Sequence, residues 1–249
     1  MGELRSRASM TYVVDAHKIR HGHMVNINKQ IMMEGMRADF IKVDKISQRL
    51  IDIASKAKII KHTSDNGTDI TAEFVPELKW LKTSGIISVD KWGNLPGGEI
   101  FTSPWNVNGT FVVDGVVGDY LCQKYGDLLH TPLTIEIKDS RISKMTCDNK
   151  ELLEEFTAYT MTDENSNRVG EFAIGTNIAC KNVIGNILQD EKLPTIHMAF
   201  GHPYSAHTGA KWSSTTHIDC VSIKNSIWCD EIQVMDKGVF MPVISEGIL

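Results

Sequence analysis

Five side chains between residues 99 and 219 could bind divalent metal ions. They are three carboxylates and two histidines: Glu99, Glu171, His197, His217 and Asp219. Imidazole and carboxylate ligands together suit zinc, cobalt, manganese or ferrous iron. Five ligands are more than one tetrahedral ion requires, so the set favours two ions that share a carboxylate. Such a pair can activate a water and polarise a carbonyl, which is hydrolytic chemistry.

The local sequence around each candidate gives its side chain a defined direction. Glu99 follows a turn of one proline and two glycines, Glu171 opens a strand-like segment, and His197 lies inside an apolar one. His217 and Asp219 are two residues apart, which places them on the same face of a strand. Each motif alone also fits a surface glutamate or a hydrogen-bonded core histidine. The prediction therefore depends on the combination.

The elements that must position these side chains are mainly strands. Apolar residues that recur every three or four positions predict a helix over residues 39–57. Further helices are predicted over 150–159, where Asn149 is the N-cap, and over 182–189. The predicted strands cover residues 58–61, 69–75, 85–89, 109–113, 133–138, 141–145, 195–200, 216–223, 226–228, 232–235 and 240–243.

This order of elements predicts the α+β fold class. We expect a small N-terminal helical and α/β portion at residues 1–78. Residues 79–249 are then the metal-binding catalytic domain, built mainly from antiparallel β-sheet.

Composition excludes several classes of function. The 249 residues carry a formal net charge of −5, and no long run of lysine and arginine offers a surface for nucleic acid. Every apolar stretch is shorter than the roughly 20 residues of a membrane-spanning helix, and the first 20 residues contain charges where a signal peptide would be apolar. We therefore expect a cytoplasmic protein without nucleic-acid or membrane partners.

The cysteines and the N-terminal histidines are weaker candidates for a metal site. The five cysteines form no C-x-x-C pair and are interpreted as buried thiols, and strand alternation directs Cys220 away from the face that carries Asp219. His17, His21 and His23 have cationic neighbours that oppose metal binding, which favours a solvated or substrate-facing segment.

The combined motifs resemble the M29 metallo-aminopeptidases, the family of aminopeptidases T and S. The matching pieces are Asn94-Leu95-Pro96, Gly98-Glu99-Ile100-Phe101-Thr102, Glu171 with Gly175-Thr176-Asn177, His197 with Ala199, Gly201 and Tyr204, and His217-Ile218-Asp219. With a lead-in at residues 36–39 and 67–69, the similarity covers about residues 36–243.

The resemblance implies a two-metal hydrolase of a small peptide or amide. The five candidates become ligands, with Glu171 also available as a catalytic group, and Tyr204 becomes a phenol donor that stabilises an oxyanion. Which carboxylate bridges the ions, and whether a glutamate is the general base, stays open. The chain is shorter than these peptidases, so we expect a neighbouring subunit of a homo-oligomer to complete the site.

Two other functions stay open at this point. The same fold family includes 2,5-dihydroxypyridine dioxygenases, which bind one ferrous ion through two histidines and an aspartate, and His197, His217 and Asp219 also satisfy that arrangement. The other alternative is a non-catalytic relative that keeps the fold as a metal-binding assembly module. Retention of both Glu99 and Glu171 favours the hydrolase.

Overall fold

The protein is described by a computed structural model that covers residues 13–14 and 16–249. A mixed structure of helices and two large sheets confirms the α+β class. The helices are α1 (Lys29–Met33), α2 (Phe40–Ala54), α3 (Asp119–Tyr125), α4 (Lys150–Thr160), α5 (Ile187–Asp190), α6 (Ser205–Thr208) and α7 (Pro242–Ser245), with a 3₁₀ turn at Gly35–Arg37. Within the described residues, no helix has both the length and the apolar character needed to cross a membrane.

The strands alternate with these helices along the chain. They are β1 (Gly22–His23), β2 (Ile59–Thr63), β3 (Asp69–Glu73), β4 (Leu81–Thr83), β5 (Gly93–Asn94), β6 (Glu99–Thr102), β7 (Asn106–Val113), β8 (Leu133–Lys138), β9 (Arg141–Thr146), β10 (Val169–Gly175), β11 (Ile196–Gly201), β12 (His217–Ser222), β13 (Ser226–Cys229), β14 (Ile232–Asp236) and β15 (Val239–Phe240).

Three predicted elements differ from the structure for local reasons. The strand predicted over 85–89 lies earlier, as β4, because Gly85 has a φ of +83° and ends the extended segment. The helix predicted over 182–189 starts only at Ile187, after Gly185 at φ +73° and the N-cap Asn186. The segment predicted as a strand over 240–243 turns into α7 because Pro242 favours the first helical turn.

Two sheets form the body of the protein. The smaller has the order β12-β11-β10-β6-β4, and the larger has the order β15-β14-β13-β2-β3-β7-β8-β9. All pairs within them are antiparallel, as predicted. The larger sheet takes β2 and β3 from before residue 78 and its other strands from after it. The division into domains at that residue stays a prediction.

The hydrophobic core lies between the sheets. Phe172 and Met198 of the smaller sheet and Ile60 and Phe111 of the larger belong to one buried cluster. Helix α4 adds Phe156, which packs edge-on against Phe200 with 6.2 Å between the ring centroids. Because one face of the smaller sheet is committed to this core, its other face is available for polar side chains.

A buried histidine in this core gives the stability of the protein a pH dependence. His62 contacts the rings of Phe111 and Phe172, and its Nδ1 lies 2.9 Å from Oδ1 of Asn225. Complete burial lowers the pKa of His62 to about 4. The neutral ring of the folded protein therefore takes up a proton less readily than the unfolded chain does. The resulting stabilisation is complete above about pH 6.5 and is lost as the pH falls through about 4.

We expect wild-type protein to lose about 2 kcal/mol more stability between pH 7 and pH 4.5 than a His62→Gln variant, which has no titrating group at this position. Urea unfolding of both proteins at the two pH values measures the difference. Equal losses in the two proteins would show that His62 contributes no pH-dependent stability.

Candidate metal centre

The register of the smaller sheet brings all five predicted ligands to one face. Glu99 of β6 is paired with Gly175 of β10, and Glu171 of β10 is paired with Ala199 of β11. Ala199 is paired in turn with Asp219 of β12. Residues directly opposite each other, and residues two apart on one strand, share a face. His197, two residues before Ala199, and His217, two residues before Asp219, therefore point to the same side.

Small residues on this face leave room beside the ligands. Ala173 lies between Glu171 and Gly175, and Ala199 follows His197 at the next position on the face. Gly175 has a further role, because a Cβ there would lie 1.8 Å from the carbonyl oxygen of Leu193. Only glycine lets the 192–193 backbone approach β10 this closely.

The ligand atoms fall into overlapping groups. Three groups each have their ligand atoms within 4.8 Å of one another: Glu99 with Glu171 and His197; Glu171 with His217 and Asp219; and Glu191 with His197 and Asp219. Nε2 of His197 lies 3.5 Å from Oε1 of Glu171, and Nε2 of His217 lies 3.6 Å from Oε2 of the same residue. Glu171 therefore lies between the two histidines.

The proton on His217 is assigned by its hydrogen bond. Nδ1 of His217 lies 2.9 Å from the carbonyl oxygen of His202, which can only accept a hydrogen bond, so Nδ1 carries a proton. Nε2 faces Oδ1 of Asp219 at 3.4 Å and the carboxylate of Glu171. In the neutral imidazole, the lone pair of Nε2 therefore faces the lone pairs of two carboxylates. Such a set requires a proton or a metal ion.

The carboxylates strongly favour a cation in this site. Burial opposes the charge of both histidines, but Asp219 and Glu171 raise the pKa of His217 to about 10. A hydrogen bond that the protonated ring donates to Glu171 and the charge of Glu99 likewise overcome burial and raise the pKa of His197 to about 9. Burial also raises the pKa of Glu171. These are the shifts expected where several acidic groups surround one cavity without full compensation of their charge.

The donor atoms fit a divalent ion. Two atoms that each lie about 2.1 Å from one tetrahedral ion are about 3.4 Å apart. The separations of 3.4 Å between His217 and Asp219 and 3.6 Å between His217 and Glu171 agree with that value. They are longer than the usual hydrogen bond. The site therefore has both the chemistry and the spacing of a metal centre.

Glu99 is held by its turn and by a neighbouring strand. Asn177 donates from Nδ2 to the carbonyl oxygen of Gly97 at 2.9 Å, and the amide of Thr176 donates to that of Gly98 at 2.8 Å. Oγ1 of Thr83 in β4 donates to Oε1 of Glu99 at 2.7 Å. These bonds link the segment Gly175-Thr176-Asn177, at the end of β10, to the glycine turn before β6. Each of the two segments therefore holds the other in position.

The structure adds two residues that the sequence did not reveal, Glu191 and Lys192, directly after α5. The side chain of Lys192 is 1% exposed, and its Nζ lies 2.6 Å from Oε2 of Glu99 and 2.6 Å from Oε1 of Glu191. Although burial disfavours its charged form, the two carboxylates raise the pKa of Lys192 above its ordinary value. Burial raises the pKa of Glu191 to about 8.

The burial of this charged segment has a structural cause. Asp190 accepts hydrogen bonds from the amides of Ile184 and Asn186, which ties the loop before α5 to the charged segment. The amide of Asn177 donates to the carbonyl oxygen of Lys192 at 2.9 Å. A run of three charged residues is ordinarily a solvated surface, so the local pattern by itself does not predict this burial. The available signal was the position of the run just before the strand that carries His197.

Tyr204 lies beside His217. Its ring packs edge-on against that of His217 with 4.9 Å between centroids, and Phe101 contacts it from another side at 5.8 Å. The backbone at Tyr204 is left-handed, with φ +47°, an unusual conformation for a bulky residue. The amide of Tyr204 also donates to Nδ1 of His202 at 3.0 Å. The loop thus directs the tyrosine ring towards the metal centre.

The weaker candidates lie elsewhere. All five cysteines are buried, as predicted, and Cys220 packs in the hydrophobic core on the face opposite Asp219. Among the described residues, neither a cysteine nor any of His17, His21 and His23 belongs to a metal-binding group. His17 is exposed, whereas His23 lies in β1, which pairs with β5.

Two cavities meet at the site, and both are lined by Glu191, His217 and Asp219. The first, of about 420 Å³, has a largely apolar wall of Tyr120, Leu121, Ala158, Ile187, Leu188 and Ile218. The second, of about 270 Å³, has more charged and polar residues in its lining: Lys82, Lys91, Asn94, Tyr204 and His207 together with Glu99 and Glu171, beside Trp92. The candidate metal centre is therefore accessible from two cavities with different linings.

Comparison with known proteins identifies the family. The model of the family described as thermophilic metalloprotease (M29) matches residues 40–237. The chain therefore belongs to the M29 metalloprotease family, which confirms the resemblance seen in its motifs. Membership implies a divalent metal, and the groups around Glu171 are the candidate positions. No curated protein matches the sequence.

Two solved structures share the fold. The 2,5-dihydroxypyridine dioxygenase from Pseudomonas putida KT2440 is similar with a TM-score of 0.67 and 18% identity over 85% of this chain and 62% of its own. Wild-type AmpT from Thermus thermophilus is similar with a TM-score of 0.64 and 17% identity over 85% of this chain and 57% of its own. The chain thus spans about 60% of the length of these neighbours.

Proposed function

We propose that the chain is a metal-dependent, aminopeptidase-like hydrolase of a small peptide or amide. The observation that carries the proposal is the position of Glu171, whose two carboxylate oxygens face different histidines at 3.5 and 3.6 Å. A carboxylate in this position is suited to be shared by two ions. Family membership supports the same class of reaction.

The proposed cofactor is a pair of zinc, cobalt or manganese ions. The residues that would hold them are Glu99, Glu171, His197, His217 and Asp219, with Glu191 as an additional carboxylate from the structure. When bound, such ions supply Lewis acidity, which makes a water more acidic and an amide carbonyl more electrophilic. His217 is prepared for this role because its Nδ1 proton is held by the carbonyl oxygen of His202.

The protein's own groups supply the remaining chemistry. Tyr204 lines the second cavity together with Glu171 and His217, where a phenol can donate a hydrogen bond to the oxygen of an attacked carbonyl. Glu171 is also the candidate catalytic carboxylate: its side chain is 6% exposed, and an oxygen of it that is not held by an ion would accept a proton from water and pass it to a leaving amine.

The two cavities support a small substrate that extends on both sides of the centre. An amide placed at His217 and Asp219 can direct an apolar group towards Leu121 and Leu188 and its other end towards Lys82. Cavities of about 420 and 270 Å³ are within or near the range typical of small-molecule sites.

The alternative function is a ring-cleaving dioxygenase with one ferrous ion. The similar fold of the Pseudomonas enzyme favours it. The arrangement of the ligands favours the hydrolase, because within the described part of the chain His197 and His217 do not join Asp219 in one group. Glu171 and Asp219 each occur in one group with His197 and in another with His217, whereas the two histidines belong to different groups. A facial triad of the two histidines and the aspartate would need all three at one ion.

Metal analysis combined with two activity assays separates these functions. We expect protein loaded with zinc, cobalt or manganese to hydrolyse aminoacyl anilides and protein loaded with ferrous iron to leave 2,5-dihydroxypyridine and oxygen unconsumed. One iron per chain, oxygen uptake and no hydrolysis would replace the hydrolase with the dioxygenase. If neither activity occurs with any metal, the non-catalytic assembly module is favoured.

Assembly and compartment remain proposals. We propose a homo-oligomer in the cytoplasm that binds a small molecule or short peptide and neither nucleic acid nor membrane. Light scattering of the metal-loaded protein tests the oligomer, since a monomer would contradict it.

A further inference from the structure

The carboxylates around His197 already have a cation from the protein itself. The ammonium of Lys192 lies 2.6 Å from Oε2 of Glu99 and 2.6 Å from Oε1 of Glu191, and its side chain is almost completely buried. A lysine is buried to this extent only when it is paired. The same Oε2 atom of Glu99 lies 3.4 Å from Nε2 of His197, so the lysine and the histidine approach one carboxylate oxygen.

The possible ion positions are consequently unequal. Both groups that contain His197 include a carboxylate paired with Lys192: Glu99 in one and Glu191 in the other. Within the described residues, the third group, of Glu171, His217 and Asp219, forms no ion pair with Lys192, and its one ion pair outside the group joins Glu171 to His197. An ion beside His197 must share its carboxylates with an ammonium, whereas an ion beside His217 does not.

Electrostatics makes this difference large. A second ion close to Nζ of Lys192 would experience repulsion between a divalent and a monovalent cation in a region that is nearly closed to water. At distances of a few ångströms such repulsion changes affinity by at least about 10-fold, even with strong screening. An ion beside His217 would be held by Glu171 and Asp219, and neither of them lies within ion-pair distance of Nζ, although the charge of Lys192 still acts on Asp219.

We propose that Lys192 is a built-in cation that makes the centre asymmetric: one divalent ion binds tightly at Glu171, His217 and Asp219, and a second binds weakly beside His197 in competition with the ammonium. This inference rests on the proposed metal-dependent function. Lys192 thereby controls the metal stoichiometry. Because the second ion binds weakly, the concentration of free metal determines the fraction of chains that carry it.

Zinc titration of four proteins tests the proposal: wild type, Lys192→Met, Lys192→Arg and Lys181→Met. The Lys192→Met variant removes the charge and keeps a long side chain, whereas Lys192→Arg keeps the charge. Lys181 is exposed and is the matched control for loss of one positive charge. The readouts are zinc retained after dialysis and the two dissociation constants from calorimetry.

We expect wild type to retain one zinc per chain and to bind a second at least about 10-fold more weakly, given the local repulsion. In Lys192→Met the second constant should tighten by at least about 10-fold, while Lys192→Arg and Lys181→Met stay like wild type. Two equally tight ions in wild type, or an unchanged second constant in Lys192→Met, would overturn the inference.

A double variant covers the case in which Lys192→Met alone does not fold. Lys192→Met with Glu191→Gln removes one charge of each sign and leaves Glu99, Glu171 and His197 in place, so the second ion should again bind more tightly than in wild type. A second ion as weak as in wild type would overturn the inference. Failure of wild type to bind any zinc would overturn the proposed function itself, whereas two tight ions would leave that function intact.

Discussion

Replacing Asp219 with asparagine is expected to remove the tightly bound metal and the hydrolytic activity together. Asp219 faces Nε2 of His217 at 3.4 Å and belongs to two of the three candidate metal-binding groups. Asparagine keeps the size of the side chain but removes the negative charge and one anionic ligand oxygen. Loss of partners that only support metal ligands weakens binding 10–100-fold, so loss of a ligand should weaken it by more than about 100-fold.

The measurement is zinc content after dialysis together with anilide hydrolysis over a range of added zinc. Asp119→Asn is a matched control, because Asp119 lines the same cavity as Asp219 but belongs to none of the metal-binding groups. It should retain zinc like wild type. Full zinc occupancy in Asp219→Asn would contradict the assignment of this residue as a ligand.

The second large effect is expected from the removal of one hydroxyl group. Tyr204→Phe keeps the ring that packs against His217 at 4.9 Å but loses the phenol donor. If the hydroxyl stabilises negative charge on the attacked carbonyl oxygen, kcat should fall by about 10²- to 10³-fold. The KM and the zinc content should change little, since the lost interaction forms only in the transition state.

Tyr120→Phe provides the corresponding control on the other side of the centre. Tyr120 is 65% exposed and lines the apolar cavity, so loss of its hydroxyl should leave zinc content unchanged. A Tyr204→Phe variant with wild-type kcat would exclude the oxyanion role. A parallel loss of zinc and kcat would instead show that Tyr204 supports the ligand His217.

The arrangement of the predicted ligands follows from strand periodicity. His217 and Asp219 are two residues apart, and that spacing already places them on one face. The sequence could not reveal the register that sets Glu171 opposite Ala199 and Ala199 opposite Asp219, because pairing depends on contacts between distant segments. The motifs predict which strands carry the candidate ligands, whereas the pairing of those strands in the sheet brings the side chains together.

The charged segment after α5 shows where sequence reasoning is insufficient. Local pattern assigns Glu191 and Lys192 to the surface, since buried charges are rare. They are buried because Gly175 lets the backbone of residues 192–193 approach β10, and because Glu99 and Glu191 compensate the charge of Lys192. Both causes are tertiary contacts between residues that are far apart in sequence, and a local sequence pattern does not include them.

The most direct test of the central claim is anomalous scattering from crystals of the zinc-loaded protein, measured on both sides of the zinc absorption edge. The metal centre described above predicts a strong peak in contact with Glu171, His217 and Asp219, and at high zinc a second peak beside His197. A single ion held by both histidines and Asp219 without Glu171 would contradict the shared-carboxylate centre. The absence of any peak at these residues would contradict the metal centre as a whole.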